Sequence, residues 1–363
     1  MPSKVTTKRP TAKSSIKDAV KPSKGIATSP ETTLTAKPIR TPTKIPSTPI
    51  PFFTIEYSLD KGQGLIAARN IPAGTCILSE SALVVMPQKL IKHPHKASQF
   101  IYNALKKLPL HLQDAFRQLH RNNDIIPTET ALYEIFLVNC ADRQDGAEAA
   151  VYKTFSRINH SCDPNCEQAF EAKNNKQVVY TIRDIKKGEE IYISYRNVLE
   201  PSTLRLPNLK RHYDFVCKCP VCDMPEEKIQ ERDRKLIQLD KITSFYNSQQ
   251  TRPIRSKLEL LRRKYEFMVD LDIKTSVLAQ PLFEAMNVCA EDMGVRGAIF
   301  GLLAHKIYVR CCGPESVDVK DIEETVLEPV RDMIIAVRWD GETILGMPKT
   351  EFMDWLWGKC ELA

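Results

Sequence analysis

The heptad Asn159–Asn165, of sequence NHSCDPN, constrains the fold of this 363-residue chain more than any other stretch. It groups amide, imidazole, hydroxyl, thiol and carboxylate side chains around one proline, with almost no apolar surface, so it is unsuited to a hydrophobic core. Pro164 disfavours helix at Asp163, and Asx side chains bond to nearby backbone groups. We therefore predict an irregular, tight loop that presents main-chain groups to a ligand. A polar surface turn is the alternative interpretation.

Three other blocks accompany the heptad. Lys61–Ala68 (KGQGLIAA) precedes it, and Gly188–Tyr195 (GEEIYISY) and the C-x-C-x-x-C run Cys217–Cys222 follow it. These four blocks, in this order, resemble the SET-domain protein-lysine methyltransferases over about residues 53–225. The long insertion between the first two blocks and the helical pattern after the cysteines are similar to the SET-and-MYND branch and its fungal relatives.

The resemblance implies an α+β protein: a SET fold of small antiparallel β-sheets with a helical insertion and a zinc-binding post-SET segment, followed by an all-helical C-terminal domain. We expect a disordered basic tail at 1–51, the SET domain at 52–200 with its insertion at about 87–150, the post-SET segment at 201–225 and the helical domain at 226–363. The insertion holds a single cysteine, Cys140, so we expect the MYND zinc module to be absent.

The residue pattern supports small sheets by a separate route. Phe52–Leu59 alternates apolar and polar residues, which predicts a strand, and Asp60–Gly64 predicts the turn into a second strand at Leu65–Arg69. Arg69–Thr75 recurs in form as Arg183–Glu189, each a tight turn that ends at a glycine. Because helices do not alternate with these strands, antiparallel sheets are favoured over a parallel one.

Charge is concentrated in the first 50 residues, which carry ten Lys or Arg and two acidic residues, a net +8, while the remainder is −1 in a chain of +7. This Lys, Thr, Ser and Pro-rich tail is predicted to be disordered. It could bind nucleic acid or chromatin, act as a nuclear address, or serve as a solvated linker. Without a long apolar run or signal peptide, we expect a protein of the nucleus or cytoplasm with no membrane partner.

The resemblance also implies an S-adenosylmethionine site. Its expected cofactor-binding residues are Lys61, Gly62, Gln63, Gly64, Asn139, Ser156, Ile158, Asn159, His160, Tyr195, Tyr213 and Phe215. Tyr195 matches the tyrosine that SET enzymes place at the methyl-transfer site, and we assign it the catalytic role. The plainer interpretations are a hairpin turn for the glycines, a helix C-cap for Asn139 and a strand aromatic for Tyr195.

The cysteine run predicts a metal site. Cys217, Cys219 and Cys222 have the spacing of zinc ligands, and the resemblance implies Cys162 of the heptad as the fourth ligand. Cys166 and, more remotely, His212 are competing fourth ligands, and a disulfide is disfavoured in a reducing compartment. The vicinal pair Cys311 and Cys312 lacks metal spacing and is interpreted as packing.

Two functions of different class follow from these predictions. The first is an S-adenosylmethionine-dependent protein-lysine N-methyltransferase with Zn²⁺ in its post-SET segment, which acts on lysines of histone tails or other proteins. The second is a catalytically inactive SET-fold scaffold or chromatin-binding protein. Tyr195, Asn159 and His160 favour the enzyme, whereas the pattern selects neither a substrate nor a degree of methylation.

Overall fold

The computed structural model describes residues 50–122, 130–143, 146–248, 253–289, 294–324, 343–344 and 347–358. All of them lie in one compact unit, Pro49–Ala363. The predicted disordered tail falls almost wholly outside the described residues. Among those that are described, no helix has the length and apolar character that crossing a bilayer requires.

The sheet region (residues 53–200) contains ten strands and three α-helices of the described chain. In order they are β1 Phe53–Ser58, β2 Gly62–Ala67, β3 Cys76–Glu80, β4 Val84–Pro87, α1 Pro94–Leu105, α2 Leu110–Arg117, α3 Ala131–Asn139, β5 Ala141–Arg143, β6 Glu148–Val151, β7 Asn159–His160, β8 Cys166–Glu171, β9 Lys176–Thr181 and β10 Glu190–Ile193. The strands form three small sheets, ordered β1-β2-β10-β7, β3-β9-β8 and β4-β6-β5. All pairs are antiparallel except β7 with β10.

The two repeated turns pair with each other through their backbones. Ile71 and Ile185 form an isolated antiparallel bridge and are both fully buried. Gly74 and Gly188 end the two turns at φ values of 79° and 88°, a conformation that glycine adopts without steric cost. This bridge places the turn that follows the Lys61–Ala68 block beside the turn that precedes β10.

One prediction for the sheet region was wrong in detail. Gly62–Gly64 was predicted to lie in a turn, but it forms the start of β2, paired with Glu56–Ser58 of β1. The insertion was predicted to be mostly helical; it contains α1, α2 and α3, and its last part also contains the strands Ala141–Arg143 and Glu148–Val151. Alanine-rich β6 pairs with both β4 and β5, and this pairing outweighs the helix propensity of alanine.

The helices of the insertion pack on the β4-β6-β5 sheet. Ile101 of α1, Phe116 of α2 and Phe136 of α3 are fully buried there together with Met86 and Val151. The C-terminal end of α3 consequently lies at a fixed place beside the heptad loop.

The helical part of the chain begins with α4 Ser202–Tyr213, which leads to the cysteine run. The helical region (residues 226–358) then contains α5 Glu226–Ser248, α6 Ile254–Asp270, α7 Gln280–Cys289, α8 Gly294–Cys312, α9 Val317–Ile322, the short strands β11 Thr343–Ile344 and β12 Met347–Pro348, and α10 Lys349–Leu356. Trp355 and Trp357 are buried, as expected for core anchors, and the Trp357 ring lies 4.7 Å from that of Phe300.

The helical region is bound to the sheet region through β8 and β9. Glu167 of β8 accepts hydrogen bonds from the Ser276 backbone N–H (2.7 Å) and hydroxyl (2.6 Å), just before α7. Gly313, at φ 84°, packs against the Tyr180 ring, and a Cβ there would lie 2.4 Å from the ring. Only a glycine fits that contact without displacement.

Candidate active site and metal centre

A cavity of about 1300 Å³ opens between the heptad loop, the start of β2, the ends of β10 and α3, and the segment that follows α4. All but one of the predicted cofactor-binding residues line it: Lys61, Gly62, Gln63, Asn139, Ser156, Ile158, Asn159, His160, Tyr195, Tyr213 and Phe215. Gly64 lies next along β2. Residues from distant parts of the sequence thus surround one space.

Gly64 permits the closest approach in this region. A Cβ on Gly64 would lie 2.6 Å from Glu190 Oε1 and 2.9 Å from Asn159 Nδ2. The Asn159 amide donates to Glu190 Oε1 at 2.8 Å and to the Gln63 carbonyl at 3.2 Å. Glycine is therefore required for β2, β7 and β10 to meet at the cavity wall.

Lys61 continues this polar network at the cavity rim. Its Nζ donates to Tyr192 Oη at 2.8 Å and lies 3.1 Å from Glu190 Oε2, and Tyr192 Oη donates to the same carboxylate. Burial lowers the pKa of Lys61, but the hydrogen bonds to Tyr192 and Glu190 outweigh it, so the pKa is raised overall. The ammonium group remains charged beside the cavity. Sequence analysis assigned no role to Glu190 or Tyr192.

Asn165 holds the heptad loop against β10. Its Nδ2 donates to the Glu190 carbonyl and its Oδ1 accepts from the Tyr192 N–H, both at 2.8 Å, and the residue is only 1% exposed. The Asn165 side chain thereby pairs with the β10 backbone as the main chain of a neighbouring strand would. Asn165 was part of the quoted motif but received no role, since its partners lie 25 residues or more away.

His160 links the heptad loop to Tyr195 and to the cysteines. Its Nδ1 accepts the Tyr195 backbone N–H at 2.9 Å, so the proton of the neutral ring is on Nε2, which lies 3.3 Å from Cys162 Sγ. Burial lowers the pKa of His160 to about 4, so the ring is neutral at physiological pH.

Tyr195 lies at the centre of an aromatic group. Its ring centroid is 4.8 Å from that of Tyr213, 5.2 Å from that of His160 and 6.5 Å from that of Phe215. Its hydroxyl donates to the Ile158 carbonyl at 2.6 Å. Burial, with smaller contributions from Tyr213 and Glu190, raises the pKa of Tyr195, so the phenol stays protonated.

Asn139 and Ser156 line the cavity, but their polar groups already have partners in the fold. Asn139 Nδ2 donates to the carbonyls of His120 and Ile135, both at 2.7 Å. The Ser156 hydroxyl donates to the Asn139 carbonyl at 3.0 Å and accepts from the Tyr152 N–H. The amide donors of Asn139 are therefore already used within the fold.

The four-cysteine cluster consists of Cys162, Cys217, Cys219 and Cys222, whose sulfurs all lie within 4.8 Å of one another. Cys162 Sγ is 3.8 Å from Cys217 Sγ and 3.5 Å from Cys222 Sγ. Four sulfurs at about 2.3 Å from a tetrahedral Zn²⁺ are about 3.8 Å apart, so the donor set fits this ion. The cluster could therefore bind zinc.

The competing ligands lie elsewhere. Cys166 is 1% exposed on β8 and belongs to the core of the sheet region, and burial raises the pKa of its thiol. His212 is exposed near the end of α4 and is outside the four-cysteine cluster. Cys162 is thus the heptad residue that meets the cysteine run.

Part of the chain matches a known protein family. Residues 62–196 match the family model of the SET domain, in agreement with the small antiparallel sheets and the site described above. The sheet region therefore has the SET fold, and the predicted fold class, with a helical C-terminal region, is confirmed.

Relatives within this class are named as lysine methyltransferases. The chain is 30% identical over 172 residues to the histone-lysine N-methyltransferase set5 of Schizosaccharomyces pombe, which is 47% of this chain and 50% of that protein. It is 24% identical to the N-lysine methyltransferase SMYD2 of Gallus gallus over 61% of this chain and 51% of that one. The human histone-lysine N-methyltransferase SMYD3 is 27% identical over 41% of this chain and 36% of its own length. The resemblance to SMYD and fungal SET proteins is thereby supported, over about half or less of each relative.

Proposed function

We propose that this protein is an S-adenosylmethionine-dependent protein-lysine N-methyltransferase. The observation that carries the proposal is the meeting of the Gly62–Gly64 strand, the Asn159-His160 loop and Tyr195 around one cavity of about 1300 Å³. The volume is above the range of about 300–1,000 Å³ that small-molecule pockets occupy, which leaves room for a cofactor and a lysine side chain together. Relatives that are named lysine methyltransferases support the same class of reaction.

The proposed cofactor end of the cavity lies between β2 and the heptad loop. Gly62 lets the backbone approach a ligand, and Asn159, Lys61 and the backbone at His160 offer polar groups to an amino-acid and adenosine moiety. S-Adenosylmethionine would supply a methyl group on a positively charged sulfur. The residues of this chain would hold that group in line with the incoming amine.

The proposed lysine end is formed by Tyr195, Tyr213 and Phe215. A free lysine has a pKa near 10.4, so the neutral amine that attacks a methyl group costs about 4 to 5 kcal/mol at pH 7 unless its surroundings lower the pKa. Aromatic walls exclude water and disfavour the ammonium form. The Tyr195 hydroxyl oxygen and the Ile158 carbonyl, 2.6 Å apart, offer two acceptors for the N–H groups of the amine, which would leave its lone pair directed at the methyl group.

The four-cysteine cluster is proposed to bind structural Zn²⁺ and so to hold the cavity wall closed. Cys217 follows Phe215 by two residues, and Cys162 belongs to the heptad loop itself. One ion bound by all four thiolates would fix the aromatic residues over Tyr195. Bound zinc also contributes directly to the free energy of folding.

The test is binding of S-adenosylmethionine by calorimetry, followed by transfer of labelled methyl from it to histones and to proteins of a cell extract. We expect saturable binding and label on lysine. Binding without transfer to any lysine would contradict the enzyme and favour the inactive scaffold. Absence of both would remove the cofactor site as well.

A further inference from the structure

Arg205 is a buried arginine outside the set of predicted site residues. It lies in the first turn of α4 and is 2% exposed. Its Nη2 is 3.9 Å from Cys222 Sγ, and its Nη1 donates to the Glu200 carbonyl just before α4. A buried guanidinium group needs partners for its charge, and those that it has are a carbonyl and a member of the four-cysteine cluster.

The charge of the four-cysteine cluster explains why a cation would lie there. Zn²⁺ with four thiolates carries a net charge of −2, and the Cys162 and Cys217 side chains are 4% and 7% exposed. Burial of such a charge is costly without a compensating cation.

A second arginine lies near the cluster. Arg232 of α5 and Cys162 line a common cavity of about 100 Å³, and Arg232 donates to the Leu271 carbonyl at 2.8 Å. Burial and then the nearby charge of Arg205 lower the pKa of Arg232, so the two guanidinium groups repel each other. A dianionic metal centre beside them would offset that repulsion.

Helix α4 connects Arg205 to the aromatic wall. Arg205, Leu209 and Tyr213 are spaced four residues apart, so they lie along one face of the helix. Leu209 is fully buried among the cysteines, and Tyr213 packs on Tyr195. A residue that holds this face against Cys222 also holds Tyr213 in place.

We propose that Arg205 is the positioning residue of the metal centre: it compensates the charge of the thiolates, orients Cys222 and fixes α4 against the four-cysteine cluster. The proposal rests on the proposed zinc site. It assigns a role in metal retention to a residue outside the ligand set, by contact with a ligand rather than with the metal.

The experiment compares Arg205→Met with Arg211→Met in the full chain. Arg211 lies on the same helix but is exposed, and the same substitution there removes an equal charge. Zinc content is measured first, and then the rate and extent of zinc transfer to a chelating dye. We expect Arg205→Met to weaken zinc retention by about 10- to 100-fold, the usual effect of losing an outer-shell partner, and Arg211→Met to match wild type.

Two further readouts separate positioning of the metal from general stability. Arg205→Lys keeps the charge but loses the planar fork, so its zinc retention should fall between those of wild type and Arg205→Met. In the Co²⁺-loaded protein, the sulfur-to-cobalt absorption band should shift to longer wavelength in Arg205→Met, because the Cys222 thiolate loses its cationic neighbour. A merely structural arginine would leave this band unchanged.

The outcomes that overturn the proposal differ from those that overturn the zinc site. Wild type without zinc would remove both. Wild type with one zinc, together with unchanged retention and an unchanged cobalt band in Arg205→Met, would remove the role of Arg205 alone. If Arg205→Met does not fold, Arg205→Lys decides: zinc retention equal to that of wild type would overturn the proposal.

Discussion

Two regions of the molecule bury thiols, and they do so in opposite chemical settings. In the four-cysteine cluster, sulfurs from the heptad loop and from the cysteine run face one another at 3.5 and 3.8 Å. Cys311 and Cys312 of α8 instead lie in the apolar core of the helical region, and burial raises the pKa of Cys311 to about 12. Burial of a thiol alone therefore says little, whereas convergence of several thiols from separate segments indicates a metal site.

The phenols of the two regions show the same contrast. Tyr195 borders the cavity and donates to the Ile158 carbonyl, while Tyr308 of α8 packs its ring against Phe283 in the helical core. Burial raises the pKa of both, so both stay protonated. What distinguishes Tyr195 is that it lines the large cavity.

The largest expected effect is that of removing a ligand from the four-cysteine cluster. Cys219→Ser should abolish tight zinc binding and lower the free energy of unfolding by about 4 kcal/mol or more, since loss of a structural metal is among the most damaging changes. Metal analysis and thermal melting check this expectation. Zinc retained in full by this variant, or by Cys162→Ser, would contradict the assignment of the four-cysteine cluster as a metal site that differs from the thiols of the helical core.

The next largest effect is expected for removal of the Tyr195 hydroxyl, with Tyr308 as the control. Tyr195→Phe keeps the ring but removes the hydroxyl, so methyl transfer should slow by about 100-fold while S-adenosylmethionine binding stays near that of wild type. Asn159→Ala should instead weaken cofactor binding itself, and Tyr308→Phe should leave both quantities unchanged. Single-turnover transfer and calorimetry measure them. Equal transfer rates for Tyr195→Phe and wild type would exclude Tyr195 from the mechanism.

Sequence reasoning was strongest where a short motif carries its own chemistry. The C-x-C-x-x-C run and the heptad pointed to four thiols, which the fold brings together, and the two recurrent turns that end at Gly74 and Gly188 are present. Prediction from the sequence was weaker where one residue type is compatible with two backbone conformations. Gly62–Gly64 is compatible with a turn or a strand, and pairing with β1, which the local sequence does not encode, selects the strand.

Long-range polar contacts were the least predictable part of the site. Glu190 receives the Asn159 amide and the Lys61 ammonium, and Asn165 supplies hydrogen bonds to β10, through contacts across 25 to 129 residues of sequence. Arg205 was not among the predicted site residues. Only the fold reveals that α4 turns it towards Cys222.

A smaller effect is expected for the thiols of the helical core. Cys312→Ala removes one buried sulfur atom, and the small void left behind should lower the free energy of unfolding by about 1 kcal/mol. Zinc content and the rate of methyl transfer should match those of wild type. Loss of zinc in this variant, at temperatures where it stays folded, would show that the two thiol regions are not chemically separate.

The smallest effect on either region is expected from deletion of residues 1–50, which carry a net charge of +8. A segment so rich in Lys, Thr, Ser and Pro buries too little apolar surface to offset its ordering entropy, so the melting temperature, the zinc content and turnover on a short peptide should change little. Binding to nucleosomes should weaken, and its dependence on salt should become shallower, because fewer basic residues displace counterions from DNA. Titrations at several salt concentrations measure that slope for both proteins. A large fall in melting temperature after the deletion would contradict the predicted disorder of the tail, and an unchanged salt slope would leave the solvated-linker interpretation in place of a nucleic-acid contact.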